Sequence, residues 1–323
     1  MLSLSIIIPM YNASSYITRC VESCYCQGLD ETDFEIIVID DGSSDNSFEV
    51  AKKISDDHSN IKIFHQENNG QGSARNLGLA NASGNFIMFV DSDDFLLPNS
   101  LSPVLRRTQM FNCDISFYKM EAEKSNGDVV VNHFKQADYH KKYTGEYILL
   151  HNIVIVGSVC SALYSRVFLS KHSFRFFTDI KHEDVAFSYE VLGKAERIVF
   201  NDNCVYHYCW YPNSTDHTKN PQKRKLLIYS DLRISCLLKN LSKSNDFSLP
   251  LKKFYVSVSN SLLLSSVLSL LRHNTNFYSK KDFFLDVYHL GLLPVLGRAR
   301  SHKSTLLLPF INFLALFYLL SKK

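Results

Sequence analysis

The chain has 323 residues, of which 46% are hydrophobic, and a net charge of +3. This length and apolar content exclude a largely disordered chain and suffice for one large domain or two smaller ones. The charge is unevenly distributed, because residues 1–218 carry 18 Lys and Arg against 28 Asp and Glu, whereas residues 219–323 carry 17 against 4. An acidic first part suits metal and substrate chemistry, and a basic, apolar second part suits an anionic lipid surface or nucleic acid.

The eight cysteines and the amino terminus indicate a reducing compartment. Cys20, Cys24 and Cys26 share one helical pattern, and no CxxC pair supplies the ligand spacing of a zinc site. We therefore expect reduced, mostly buried thiols. Residues 1–3 lead directly into an apolar strand without a basic segment, so we expect no signal peptide and a location in the cytoplasm.

The first third of the chain alternates apolar strands with amphipathic helices. Strands are predicted over Leu4–Pro9, Phe34–Ile39, Ile61–Phe64 and Phe86–Val90. A helix is predicted over Ser14–Gln27, where Ser14 or Ser15 is placed to cap it, and further helices follow the second and third strands. This order of elements predicts an α/β fold with a largely parallel sheet and helices on both faces.

Three polar loops follow apolar strands in this region, at Pro9–Asn12, Asp40–Ser43 and Asp91–Asp94. The carboxyl ends of parallel strands meet at one edge of a sheet, so we expect these loops to line one ligand crevice. A nucleotide would suit it, because Tyr11 can lie against a base and Asp40 or Asp41 can accept a hydrogen bond from it. Neither GxGxxG nor GxxxxGKS is present, which leaves a metal ion to neutralise phosphate.

The third loop, Asp91-Ser92-Asp93-Asp94, concentrates three carboxylates after a buried strand. Like charges at this spacing repel unless a cation or hydrogen bonds offset them. Hard carboxylate oxygens suit Mg²⁺ or Mn²⁺, which also bind substrate phosphates. The alternative is a solvated turn that caps a helix beginning near Pro98.

Four segments of this region, taken together in order and spacing, resemble the family 2 glycosyltransferases. They are Ile6–Asn12, Ile36–Asp45, Asn69–Asn76 and Phe89–Asp94. The resemblance implies a nucleotide-sugar-dependent GT-A fold in which Asp91-Ser92-Asp93 is the DxD motif. It also implies an inverting reaction that depends on Mn²⁺ or Mg²⁺.

The resemblance implies a role for individual residues as well. Asp93 would be the main metal ligand, and Asp91 would contact ribose or metal. Asp41, with Asp40 beside it, would meet the uracil of a UDP-sugar. The remaining side chains that it places in the nucleotide pocket are Pro9, Tyr11, Asn12, Arg75 and Ser92.

Between the DxD motif and residue 218 the pattern predicts a hairpin, a helix and a last strand. These are Ile115–Met120 with Val129–Phe134, turned at residues 126–128, then Glu146–Val156, then Val205–Trp210. Related sequences often carry Lys where Ala162 stands and Arg near Cys209. His207, His217 or Lys219 could substitute for the phosphate contact that a cysteine at position 209 cannot make, but for each of the three we favour a structural or solvated role.

A second charged motif, His182-Glu183-Asp184-Val185, opens a helical pattern. Carboxylates are common in the first turn of a helix for electrostatic reasons alone. By its place in the chain, however, the pair resembles the catalytic-base motif of the family. The resemblance implies that Asp184 takes a proton from the acceptor and that Glu183 has a positioning role.

The last third of the chain is helical and basic. Leu306–Leu320 is strongly apolar and lies between Arg298, Arg300 and Lys303 on one side and residues 322–323, both Lys, on the other. The segment is short for a membrane span, so we expect an interfacial helix on an anionic membrane surface. A helix buried in a core or in a homo-oligomer is the alternative, and nucleic-acid binding fits the long aliphatic runs poorly.

The sequence thus predicts a catalytic GT-A domain over residues 1–218 and a membrane-associating helical region over 219–323. We expect an inverting hexosyl- or N-acetylhexosaminyltransferase that acts on a glycan or lipid-linked acceptor in cell-surface polysaccharide synthesis, at the inner face of the membrane. A non-catalytic nucleotide-sugar-binding scaffold subunit is the alternative. A nucleotidyltransferase is disfavoured, because no Gly-rich, basic loop follows the first strand.

Overall fold

The structure is a computed structural model that describes residues 2–132, 134, 137–154, 156–211, 220–272 and 278–320. The chain divides into two units. The first unit comprises Met1–Asp179 and Lys194–Ser214, and the second comprises Ile180–Gly193 and Thr215–Lys323. The segment that carries Glu183 and Asp184 therefore groups with the C-terminal helices. The division predicted at residue 218 stays a prediction.

One mixed sheet of nine strands, counted over the described residues, forms the centre of the first unit. Its first half is parallel, in the spatial order β3-β2-β1-β4. These strands are β1 (Leu4–Met10), β2 (Phe34–Asp41), β3 (Ile61–Gln66) and β4 (Phe86–Phe89). Every residue of β1, β2 and β4 is buried, as expected for strands that are covered on both faces.

The helices of this half are α1 (Ile17–Tyr25), α2 (Ser47–Asp56) and α3 (Gln71–Asn81). The buried side chains of α1 are Ile17, Cys20, Val21 and Cys24, which recur at helical spacing. The predicted cap at Ser14 or Ser15 is wrong, because α1 begins after Tyr16 without a side-chain cap. Instead, the backbone N–H of Ser14 donates to the Asp45 carboxylate at 3.2 Å.

The second half of the sheet has the order β4-β8-β6-β9-β5, with β7 paired to β6. Strand β8 is antiparallel to both β4 and β6, while β9 is parallel to β6. These strands are β5 (Phe95–Leu96), β6 (Ile115–Glu123), β7 (Val129–Val131), β8 (Ala162–Ser165) and β9 (Ile198–Tyr208). The predicted α/β fold class is confirmed, and antiparallel pairing enters only after β4.

Three helices accompany this half: α4 (Leu101–Phe111), α5 (Gly145–His151) and α6 (Arg166–Lys171). The hairpin between β6 and β7 is confirmed, and its turn contains Gly127 at φ 83°. Helix α5 is shorter than predicted. It ends because Asn152 adopts a left-handed conformation, with φ 51°, and its N–H returns to helix carbonyls.

Close contacts between elements set the position of the strand ends. A Cβ on Gly78 of α3 would lie 2.4 Å from Cγ2 of Ile7 in β1, so only glycine allows this helix to approach that strand. Elsewhere in the sheet, the buried carboxylate of Glu35 accepts hydrogen bonds from Ser5, Lys62 and Ser83. Burial alone would raise the pKa of Glu35, but these bonds lower it to about 2.

The second unit is helical. It contains α7 (Glu183–Lys194), α8 (Pro221–Leu241), α9 (Leu249–Arg272), α10 (Lys280–His289) and α11 (His302–Leu320). Its apolar core includes Leu232, Leu263, Phe283 and Ile311, each at most 1% exposed. By length and composition, α9 and α11 could each cross a membrane, but half of the α9 window is buried, against 17% of the α11 window.

Candidate active site

The first two polar loops are joined by hydrogen bonds at the carboxyl edge of the sheet. Met10 and Asp40 are register partners in β1 and β2, so the loops that follow start side by side. Asn12 turns there with φ 50°, and its Oδ1 accepts from the backbone N–H of Ser44 at 2.8 Å. The N–H of Asn12 donates to Oγ of Ser43 at 3.0 Å. These bonds fix the loop on which Tyr11 stands, with half of its side chain exposed.

The two acidic residues at the end of β2 are buried and hydrogen-bonded within the protein. Asp41 accepts from Nε2 of Gln66 at 2.7 Å and from the N–H groups of Asn69 and Gly70, both at 2.9 Å. Asp40 lies 2.7 Å from Nδ1 of His65. Asp41 therefore anchors the glycine-rich loop before α3, and its predicted contact with uracil stays a prediction. Pro9, also predicted for the pocket, is buried inside β1.

Arg75 and Asp91 lie in direct contact. Nη2 of Arg75 donates to Oδ1 of Asp91 at 2.9 Å, and the same oxygen accepts from Nε2 of Gln71 at 2.8 Å. The Arg75 side chain is buried, and its guanidinium lies 5.4 Å from the centre of the Phe176 ring. The two predicted residues thus form one ion pair, and the third strand-end loop is tied to α3.

Asp93 and Asp94 occupy different environments. Asp94 is 1% exposed and accepts from the hydroxyl of Tyr206 at 2.6 Å and the N–H of Cys209 at 2.8 Å. Within the described ranges, no other residue donates a hydrogen bond to the carboxylate of Asp93. Burial, reinforced by Asp91, raises the pKa of Asp93 to about 6, and burial with both neighbours raises the pKa of Asp94 to about 8.

The difference between the environments of Asp93 and Asp94 is what we expect if Asp93 binds a divalent cation. Asp93 is the carboxylate of the DxD loop with the fewest hydrogen bonds among the described residues, and its raised pKa reflects burial and negative charge that its neighbours do not fully offset. Asp91 adds carboxylate oxygens two residues away, and Mg²⁺ and Mn²⁺ prefer such oxygen ligands. Asp94 is already engaged by Tyr206 and Cys209, so we assign it to the support of the loop. Ser92, between the two aspartates, is buried.

Arg19 is a part of the site that sequence reasoning missed. Its Nη2 donates to the backbone carbonyl of Asp93 at 2.7 Å and lies 3.3 Å from Sγ of Cys209. The guanidinium also lies 4.8 Å from the centre of the Phe95 ring. One signal was available, because Arg19 is the only Lys or Arg among residues 1–51. The positively charged side chain of Arg19, on α1, therefore lies beside Cys209.

The expected substitutes for a cation at position 209 are only partly described. His207 lies 2.6 Å from Glu121 through Nδ1 and stacks on Phe95, with ring centres 4.3 Å apart. These contacts give it a structural role. His217 and Lys219 lie outside the residues that the structure describes.

The acidic pair of the second motif opens α7 in the second unit. Glu183 is buried, and Asp184 is half-buried with its Oδ1 2.9 Å from the N–H of Val185. The preceding His182 adopts φ 60°, a left-handed conformation that costs free energy in a residue with a Cβ. Backbone strain of this kind is often found at functional sites. The left-handed conformation of His182 is therefore what we expect beside a functional residue.

Comparison with known proteins identifies the class. The profile of Glycosyl transferase family 2 matches residues 5–173, more than half of the chain. The chain therefore belongs to glycosyltransferase family 2. It is 31% identical over 214 residues to an uncharacterized glycosyltransferase of Bacillus subtilis, EpsJ. The match covers 65% of this chain and 62% of EpsJ, so this chain matches less than two thirds of that relative.

Solved structures support the fold. TarS of Staphylococcus aureus, residues 1–349 in complex with UDP-GlcNAc, superposes with a TM-score of 0.72 at 19% identity. The match covers 98% of this chain and 88% of that one. The mannosyltransferase PcManGT of Pyrobaculum calidifontis, in complex with GDP-Man and Mn²⁺, gives a TM-score of 0.57 at 14% identity, with 99% and 88% covered. The GT-A fold is thereby confirmed.

The structure brings most of the predicted nucleotide-site residues together in the first unit. Hydrogen bonds connect Asn12 to the loop of β2, Asp41 to the glycine-rich loop, and Arg75 to Asp91. Asp184 lies in the second unit. The roles assigned to these residues in binding and catalysis stay predictions.

Proposed function

We propose that this chain is an inverting, metal-dependent glycosyltransferase that uses a nucleoside-diphosphate sugar. The observation that carries the proposal is the environment of Asp93, a half-buried carboxylate of raised pKa beside Asp91, at the edge where three parallel strands end. Ligands of open α/β sheets bind at this edge. Membership of the family supports the reaction class.

We propose a UDP-sugar as the donor and Mn²⁺ or Mg²⁺ as the cofactor. The related TarS structure contains UDP-GlcNAc, and the PcManGT structure contains GDP-Man with Mn²⁺. In this chain Tyr11 would lie against the base, Asp40 and Asp41 would shape the base pocket, and Asp91 would face the ribose or the metal. A cation held by Asp93 would offset negative charge on the diphosphate.

The proposed chemistry is a single displacement. Asp184 takes the proton of an acceptor hydroxyl, and the oxygen attacks the anomeric carbon of the sugar. The bond between that carbon and the diphosphate oxygen breaks, and its electron pair leaves with the nucleoside diphosphate. Attack opposite the leaving group inverts the configuration. Glu183, buried beside Asp184, acts as a positioning residue in this scheme.

We propose that the acceptor is a glycan or a lipid-linked saccharide and that the sugar is a hexose or an N-acetylhexosamine. TarS is named as a poly(ribitol-phosphate) beta-N-acetylglucosaminyltransferase and resembles this chain at 29% identity over 211 residues. A role in cell-surface polysaccharide synthesis follows for this chain as part of the proposal. Arg19 beside Cys209 weakens the alternative of a non-catalytic scaffold, since it returns a cation to a position where this chain departs from its relatives.

The proposal is tested by a donor screen on the purified chain. UDP- and GDP-sugars are added with and without Mn²⁺, and the unfolding temperature is recorded, because a ligand that binds the folded state raises it. We expect one nucleotide class to stabilise the wild type only with Mn²⁺. Asp93→Asn should abolish this increment, whereas Glu196→Gln changes an exposed carboxylate outside the three strand-end loops and should retain it. Stabilisation of Asp93→Asn equal to that of the wild type would remove the residue from the metal site.

A further inference from the structure

Helix α11 carries a continuous apolar surface that the described residues of the second unit leave exposed. Its exposed large side chains are between 44% and 71% exposed: Leu306, Leu307, Phe310, Phe313, Leu316, Phe317 and Leu320. The opposite side of the helix packs into the core through Leu308, Ile311 and Ala315. Seven large apolar side chains in one helix form a patch of the kind that marks an interaction site.

The width of this patch indicates what covers it. At about 100° per residue, the exposed positions from Leu306 to Leu320 span about 180° of the helix surface. A seam that packs on one partner helix is a narrower stripe at heptad spacing. Half of a helix surface made of Leu and Phe instead suits a fluid apolar phase, because lipid chains can surround it without a specific register.

The polar groups of α11 are consistent with an apolar surrounding on that side. Asn312 exchanges two hydrogen bonds with the backbone of Val295: its Oδ1 accepts at 2.8 Å and its Nδ2 donates at 3.1 Å. Thr305 donates to the carbonyl of Ser301 at 2.9 Å. Asn312, the only amide side chain in the sequence of α11, is therefore hydrogen-bonded inside the protein.

Basic residues flank both ends of the patch. Arg298, Arg300 and Lys303, all exposed, precede or open α11. Near the other end, Nζ of Lys280 lies 5.9 Å from the ring centre of Tyr318. The sequence contains no Asp or Glu after Asp286. An anionic surface would thus meet positive charge on both sides of the apolar face.

We infer that α11 lies in the plane of a bilayer that contains anionic phospholipid, with the face from Leu306 to Leu320 in the acyl-chain boundary. The flanking Arg and Lys side chains contact the headgroups. Because Leu308, Ile311 and Ala315 are packed in the core of the second unit, the helix binds from the side and does not cross the bilayer. Rotation into a span would require that core to open.

The docking surface stands independently of the proposed reaction. If that reaction also holds, nucleotide-sugar donors and a lipid-linked acceptor meet at the cytoplasmic face of the membrane. As part of the same proposal, we infer that the chain is a peripheral protein on the inner, cytoplasmic face of the membrane. The lipid itself is recognised through its charge and its acyl chains, without a specific headgroup pocket.

The test is cosedimentation of the full chain with vesicles of phosphatidylglycerol and, separately, of phosphatidylcholine. The informative variant is Phe310→Ser/Phe313→Ser/Phe317→Ser, which changes exposed side chains and leaves the core intact. The matched control is Met110→Ser/Val167→Ser, which removes exposed apolar side chains from the first unit. Far-UV circular dichroism checks that each variant is folded.

We expect the wild type and the control to bind phosphatidylglycerol vesicles, and the triple variant to bind at least about tenfold more weakly. Vesicles of phosphatidylcholine alone should bind less of the wild type than vesicles of phosphatidylglycerol do. The variant Arg298→Gln/Arg300→Gln/Lys303→Gln should reduce this difference in binding between the two lipids. Wild type that stays off vesicles, or a triple variant that binds as the wild type does, would overturn the inference. A wild-type dimer that dissociates in the triple variant, without vesicle binding, would assign the face to a second copy and overturn it too.

Discussion

Nη2 of Arg19 in α1 donates a hydrogen bond to the backbone carbonyl of Asp93 at 2.7 Å. This single contact joins α1, which follows β1, to the loop after β4. The Arg19 guanidinium therefore fixes the loop that carries Asp93, the proposed metal ligand. The hydrogen bond is made to the backbone and leaves the Asp93 carboxylate available to a metal ion. Arg19 therefore fixes the backbone of the loop Asp91–Asp94, and we propose that it positions this loop for metal binding.

Replacing Arg19 tests this role. Arg19→Met keeps an unbranched apolar side chain but removes the guanidinium that donates to Asp93 and lies over the Phe95 ring. We expect Mn²⁺-dependent nucleotide affinity to fall about tenfold, which corresponds to about 1.4 kcal/mol. Calorimetric titration of UDP with Mn²⁺ measures it. Arg106→Met, at an exposed position of α4, is the control. Equal affinities of the two variants for UDP with Mn²⁺ would show that Arg19 does not position the loop.

The hydroxyl of Tyr206 bridges two parts of the same loop. It accepts from the N–H of Asp91 at 3.1 Å and donates to Asp94 at 2.6 Å. Tyr206→Phe leaves the buried Asp94 carboxylate and the part-buried N–H of Asp91 without this partner, so we expect the free energy of unfolding to fall by about 2 kcal/mol. Urea denaturation checks the value. Tyr147→Phe, whose side chain is 45% exposed, should change it by less than about 0.5 kcal/mol.

Glu190 in α7 predicts a pH dependence of stability. Burial raises its pKa from 4.5 to about 7. The folded state therefore binds a proton at Glu190 more tightly than the unfolded state does. The contribution of this group to the free energy of unfolding is fully present below pH 4.5 and is lost as the pH rises through about 7. At alkaline pH, Glu190→Gln should be more stable than the wild type by about 2 kcal/mol.

At pH 4 the same substitution should leave the free energy of unfolding nearly unchanged, because the carboxyl is protonated in both states. Glu196→Gln, at an exposed position, is the control. Urea titrations of the three proteins over this pH range provide the measurement. A Glu190→Gln difference that does not grow with pH would contradict the burial effect.

The strand and helix order of the parallel half could be predicted because buried parallel strands read as continuous apolar runs, as in Ile6–Ile8 and Ile36–Ile39. Antiparallel β8 was missed, since Ala162–Ser165 is four residues long and has no distinctive period. Helix α5 ends early because Asn152 adopts a left-handed conformation, which no apolar pattern records.

Within the site, the sequence placed carboxylates at strand ends but could not say which were already engaged. Asp41 and Asp94 accept hydrogen bonds from residues 25 and more than 100 positions away, whereas the Asp93 carboxylate accepts none from another of the described residues. Arg19 was missed for the same reason, since its partners Asp93 and Cys209 are 74 and 190 positions away. Such distinctions depend on long-range contacts.

The most direct test of the central claim compares the wild type with Asp184→Asn in release of nucleoside diphosphate from the donor found in the screen, with Mn²⁺ and a glycan or lipid-linked acceptor. Glu196→Gln serves as the control. Removal of a general base typically costs a factor of about 10² to 10⁴ in rate, so we expect a loss of at least about a hundredfold, with donor affinity unchanged. Release by Asp184→Asn at the wild-type rate would contradict the account.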